Sequence, residues 1–199
     1  MFEDTNMKAV SAEAMGTFFL VFIGITAFGA LDGGIDGAFA LGATLMVLMH
    51  VMGPISGCHL NPAVSIGNFM SNKMSQDDAI AYVLAQIGGA FIGFAAIGGT
   101  FSVLTGDMFA LGAAAVGTAF FVLVLLSTSD PWAVGGTLFV VTAMAGGFNE
   151  VNPGVLAGGG LHTVVLVDNG EITTSATYAM VGGVIGAVAG WAVKDNVLD

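Results

Sequence analysis

Two Asn-Pro pairs, Asn61-Pro62 and Asn152-Pro153, interrupt sequence that is apolar on both sides. Asn favours helix N-caps, because its side-chain oxygen accepts an orphan amide hydrogen of the first turn. Pro suits the first helical position, where a missing donor is no loss. Each pair therefore predicts a helix that begins inside hydrophobic sequence. Broken helices at membrane depth, in matching places of two halves, point to an inverted-repeat channel or transporter.

The rest of the chain fits that reading. It is 56% hydrophobic and carries three basic residues, Lys8, Lys73 and Lys194. Its apolar runs of about 20 residues are long enough to cross the hydrocarbon core. With 199 residues there is no room for a soluble domain beside six spans, so 1–199 reads as one membrane domain. Met1 to Ser11 lacks the basic start and small-residue cleavage site of a signal peptide, so the first span is expected to stay. A formal net charge of −11 argues against nucleic-acid binding. The carboxylates sit mostly at span ends, as solvated loop charge. The single cysteine, Cys58, cannot form an internal disulfide.

The predicted spans are Ala9 to Leu31, Ala38 to Ile55, Asp77 to about Phe101, Met108 to Leu126, Pro131 to Gly146, and Thr173 to Lys194. Half-helices are predicted at Pro62 to Met70 and Pro153 to Leu161, after irregular segments at Ser56 to Leu60 and Phe148 to Val151. The expected fold is an all-α integral membrane protein with six transmembrane helices and two re-entrant half-helices. Its repeats cover about 9–101 and 108–194, and Ala12-Glu13-Ala14-Met15-Gly16-Thr17 parallels Ala113-Ala114-Ala115-Val116-Gly117-Thr118. Three spans is an odd number, so the second copy is inverted and the half-helix N-termini meet near the midplane. All three lysines then fall on one side, which puts both termini in the cytoplasm. Glycines at four-residue spacing, Gly89 and Gly93, then Gly182, Gly186 and Gly190, predict close backbone packing.

Ser56-Gly57-Cys58-His59-Leu60-Asn61-Pro62-Ala63-Val64-Ser65-Ile66-Gly67 resembles the first signature of the aquaporin, or major intrinsic protein, family. Ala12 to Phe19 resembles that family's first span, and Ala85 to Ala90 its third. The resemblance implies a homotetramer in the plasma membrane with one pore per subunit, passing water or small uncharged solutes in single file. It implies neither cofactor nor metal. Asn61, Pro62 and Ala63 would meet Asn152, Pro153 and Gly154 at the pore centre. There the two positive helix ends oppose cations, and the capping amides donate to a passing water.

The second signature departs from the pattern. Gly154 stands where the family has Ala, a mild change between small residues. Val155 stands where it has the Arg of the outer constriction. Counting from the two Asn residues, the selectivity filter would be Leu41, Val140, Asn149 and Val155, wider or greasier than a strict water pore. Glycerol, urea, ammonia or dissolved gases then come within reach.

Other residues carry two readings each. Glu150 either brings negative charge to the outer mouth or accepts backbone hydrogens away from the pore. Glu13 matches the family's buried Glu that braces a re-entrant loop, whereas its second-half counterpart is Ala114. His59 either lines the pore or braces its loop, and Cys58 either borders the pore or packs behind the loop. Phe148 and Leu41 are large enough to plug a passage. His50 is expected to pack away from the pore, and His162 to sit at the surface where the second half-helix ends. No metal-ligand spacing and no nucleophile–base set supports an enzyme. The rivals to a passive channel are a cation- or ammonium-leaky pore, motivated by Val155 and Glu150, and a non-conducting structural membrane protein.

Overall fold

A computed structural model describes residues 3–32, 34–97, 108–145, 152–166 and 174–198. The expected end of the third span near Phe101, the Phe148 to Val151 segment and the Asp168 to Glu171 loop lie outside these residues. Every described element is a helix. They are α1 (Met7–Ala30), α2 (Gly34–Ser56), α3 (Pro62–Met70), α4 (Gln76–Ile97), α5 (Met108–Ser127), α6 (Pro131–Ala145), α7 (Pro153–Leu166) and α8 (Thr174–Val193). Six are long and two, α3 and α7, begin at the Asn-Pro pairs. Among the described residues α1, α2 and α4 are long and apolar enough to cross a membrane on their own.

Local chemistry sets several helix starts. The Asn6 side chain caps α1, accepting from the amides of Lys8 and Ala9. Before α4, the Ser75 hydroxyl accepts from the Asp78 amide at 3.1 Å and donates to the Asp78 carboxylate at 2.8 Å. That reciprocal pair acts like a capping box, with the acidic charge at the favourable end of the helix dipole. Asp130 caps α6 through the Ala133 amide, with Pro131 in the first helical position. At the other end of α5, the Lys73 ammonium donates to the Leu126 carbonyl at 2.9 Å. A cation there suits the dipole and ties the end of α5 to the α3–α4 connection.

Two features differ from the sequence expectation. Leu20–Ile25, in the middle of α1, is π-helical. The second half-helix continues past Leu161 to Leu166, which carries His162 into the interior, 4% exposed.

The packing repeats across the two halves. α1 lies on α4 as α5 lies on α8, α3 packs on α8 as α7 packs on α4, and α2 crosses α6. The glycines specify the first pairing atom for atom. A Cβ on Gly89 would meet the Ala14 carbonyl oxygen and the Phe18 nitrogen, and one on Gly186 would meet the Ala115 oxygen and the Ala119 nitrogen. Gly93 faces the Phe18 oxygen as Gly190 faces that of Ala119. Ala14 corresponds to Ala115, and Phe18 to Ala119, in the aligned repeats. Backbones this close gain dispersion contacts that lipid tails cannot supply.

Candidate functional site

The two half-helix N-termini meet at the centre of the bundle. Asn61 is extended (φ −154, ψ 121), and its side-chain oxygen accepts from the Ala63 amide at 2.9 Å. The Asn152 oxygen accepts from Gly154 at 3.0 Å and Val155 at 3.3 Å. Each cap therefore satisfies orphan donors of its own helix. The Asn152 amide also donates across the junction to the Leu60 carbonyl at 2.8 Å. That bond uses one of its two hydrogens and leaves the other. Both asparagines are almost fully enclosed, at 2% exposed.

Gly154 proves to be more than a mild replacement. A Cβ there would stand 2.6 Å from Pro62 Cδ and 2.9 Å from Cγ. The ring of a proline in the first helical position cannot swing aside, so a methyl must force the half-helix ends apart. On the far side, a Cβ on Gly183 would meet Pro153 Cγ at 2.6 Å. Glycines on α7 and α8 thus let the two ends approach more closely than alanines would. Gly154→Ala is expected to cost roughly 1–3 kcal/mol, the range of core overpacking, seen as a lower thermal midpoint of the purified protein. An unchanged midpoint would show that the ends are free to part.

Ahead of α3, the loop makes a tight reversal with three residues at positive φ: Gly57 (84), Cys58 (52) and Leu60 (48). For non-glycine residues that conformation costs roughly 1–2 kcal/mol each. Backbone bonding offsets it. The Gly57 amide donates to Gly53 O, and Cys58 N to the Ser56 hydroxyl. His59 N and Leu60 N donate to the two carboxylate oxygens of Glu13, at 2.9 and 2.7 Å. Glu13 has no exposed surface and also accepts from the Ser56 hydroxyl at 2.6 Å and the Gln86 amide at 2.7 Å. All four partners are donors, which suits an ionised carboxylate.

Around this brace lies a polar cluster. Gln86 also donates to the Ser65 hydroxyl at 3.0 Å, and Ser65 contacts His59 Nδ1 at 3.1 Å. Tyr82 donates to the Ser56 carbonyl and packs edge-on against the His59 ring. Sequence reasoning assigned no role to Ser56, Ser65, Tyr82 or Gln86; the available signal was a Gln inside an apolar span. By the repeat register the second half carries Ala114, Leu156 and Gly183 in place of Glu13, Ser65 and Gln86. Among the described residues, this polar brace is found only beside the first half-helix.

Of the filter positions, Leu41 and Val155 have no exposed surface, and neither has Val64, the repeat partner of Val155. Leu41 packs against Gly24 in the π-helical turn, where a Cβ would come within 2.5 Å of its Cδ1. Val140 differs: it is 46% exposed and shares a strip of α6 with Trp132 and Met144. Phe148, Asn149 and Glu150 lie outside the described residues. Cys58 is buried, at 1% exposed. His50 is not packed inside; it is exposed and borders a cleft of about 410 Å³ with Met49, Gly53, Pro54, Gly57 and Ser129. His162, expected at the surface, is instead stacked on Phe94 and set against Phe91. Among the described residues no three His, Cys, Asp or Glu side chains converge as metal ligands would.

Comparison with known proteins gives a consistent picture. The sequence profile of the family described as Major intrinsic protein matches residues 2–190. Human Aquaporin-1 is 33% identical over 147 residues, covering 62% of this chain and 55% of that protein. Aquaporin Z of Brucella melitensis is 32% identical over 161 residues, covering 65% of this chain and 69% of its own length. Aquaglyceroporin AqpS of Rhizobium meliloti is 41% identical over 93 residues, covering 42% and 40%. The chain thus spans about half the length of most curated relatives it matches. In fold it is similar to the aquaglyceroporin of Plasmodium falciparum, with a TM-score of 0.77 at 22% identity and 96% coverage of each chain.

Proposed function

The chain belongs to the major intrinsic protein family and is a multi-pass membrane protein, and we propose that it is a passive channel, not an enzyme, for water and small uncharged solutes. The observation that carries this reading is the junction at Asn61 and Asn152. Two half-helix ends, each equivalent to about +0.5 charge, face one another inside an apolar bundle, and their capping amides supply fixed donors. Such a centre favours a neutral molecule with an accepting atom and opposes a cation. With Val155 in place of Arg, exclusion of cations falls to the helix ends. The wall beside Leu41 and Val155 is apolar, which extends the permeants to glycerol, urea, ammonia or gases. We place the protein in the plasma membrane as a homotetramer with both termini cytoplasmic. The three lysines and the relatives' family support that assignment.

Stopped-flow light scattering on proteoliposomes, for water and then glycerol, tests the proposal. Flux of both well above empty vesicles is expected. The competing reading with an observation behind it is a passage held shut, since Leu41, Val64 and Val155 are wholly enclosed. Vesicles that pass neither solute would favour it and sink the open channel.

A further inference from the structure

The polar cluster beside the first half-helix decides where His59 keeps its proton. Glu13 only accepts. Gln86 Nε2 stands 2.7 Å from a Glu13 oxygen. Turning the amide over would set its oxygen against a carboxylate oxygen at that distance, so the nitrogen faces Glu13. The second hydrogen of the same nitrogen goes to Ser65 Oγ at 3.0 Å. Ser65 is therefore an acceptor from Gln86, and its own hydrogen remains to be placed. Among the described residues its other partner is His59 Nδ1, at 3.1 Å. If Nδ1 carried a proton, it would use another Ser65 lone pair and leave the hydroxyl hydrogen without an acceptor. Ser65, Gln86 and Glu13 all have no exposed surface, so water does not supply one. A buried donor without a partner bears the full cost of desolvation.

We propose that Glu13, Gln86 and Ser65 hold His59 in the neutral tautomer with its proton on Nε2, so that His59 presents one fixed N–H donor to permeants bearing an acceptor oxygen. This rests on the channel reading for its use, but not for its chemistry. The Nε2 end of the ring lies beside Gly57, where a Cβ would stand only 3.3 Å from it. Gly57 in turn borders the open cleft with Met49, Gly53 and Pro54. The residue that permits the positive-φ turn also leaves the donor uncovered. Edge-on contact with Tyr82, at 5.3 Å between centroids, holds the ring in that orientation. Ser65 and Gln86 are thus positioning residues: neither need touch a permeant, yet both set the direction in which His59 donates.

Nitrogen-15 NMR of histidine-labelled protein in lipid bilayers reads the tautomer directly. There are three histidines, and the His59 signals are those lost in His59→Gln. At neutral pH the wild type is expected to show a bare Nδ1 and a protonated Nε2. Ser65→Ala and Gln86→Met should each convert this to a mixture, and Ser65→Thr, which keeps the hydroxyl, should restore it. Glycerol permeability of Ser65→Ala vesicles should fall severalfold at equal protein content and recover in Ser65→Thr. A wild-type His59 protonated on Nδ1, or a tautomer unmoved in both Ser65→Ala and Gln86→Met, overturns the inference. Wild-type vesicles without flux would overturn the channel reading alone, and normal flux with an unmoved tautomer would overturn this inference alone.

Discussion

Glu13→Ala should cost the protein about 4 kcal/mol or more of stability. Two backbone amides, His59 and Leu60, lose their acceptor together with the Gln86 amide and the Ser56 hydroxyl. Orphaned buried donors cost roughly 1–3 kcal/mol apiece, and relaxation recovers part of the total. The loop has little room to relax, because Cys58 and Leu60 already occupy left-handed backbone that only fixed bonding maintains. Glu13→Gln should lose less, since one oxygen still accepts while its new N–H faces donors. Thermal unfolding of the purified protein should rank wild type above Gln and Gln above Ala. A Glu13→Ala protein within about 0.5 kcal/mol of wild type, the range of a surface substitution, would mean the four bonds carry no net weight.

The same brace shows where sequence is legible and where it stops. The starts of α3 and α7 are readable because Asn and Pro have local meanings that survive any tertiary context. The pairing of α1 with α4 and of α5 with α8 is readable in part from glycine spacing, since small residues let membrane backbones approach. What joins distant positions is not readable in this way. Gln86 meets Glu13 and Ser65 across 73 and 21 residues, and nothing local to Gln86 names those partners. Gly154 looks interchangeable with Ala until the Pro62 ring of the opposite half is seen against it. Counting from the Asn residues puts Leu41 and Val140 in one ring, but the rotation of each helix about its axis decides whether their side chains share it. On α6, Val140 shares an exposed strip with Trp132, whereas Leu41 on α2 is enclosed. His162 escapes a local reading for a simpler reason. The apolar helix runs on past Gly158, Gly159 and Gly160, so its expected end is its middle.

Val155→Arg should reduce glycerol permeability by roughly tenfold or more, which corresponds to about 1.4 kcal/mol in the barrier. Val155 sits in the first turn of α7 with its amide bonded to the Asn152 oxygen, so its Cβ is fixed relative to the junction. The side chain has no exposed surface. A guanidinium there has two destinations. In the passage it fills space beside Leu41 and adds a full positive charge to the two helix ends. Glycerol, the bulkier solute, then loses more than water, and any cation leak falls as well. Pushed instead into the apolar interior, it carries an unpaired charge at a cost of several kcal/mol. Stability separates the two: near-normal unfolding with selective loss of glycerol flux belongs to the passage, whereas a collapsed midpoint with loss of both solutes belongs to the core. Unchanged glycerol and water permeability in a stable variant would place Val155 away from the permeant, and the apolar constriction would have to be sought elsewhere. Selective loss would instead make the absent Arg the reason that solutes larger than water pass.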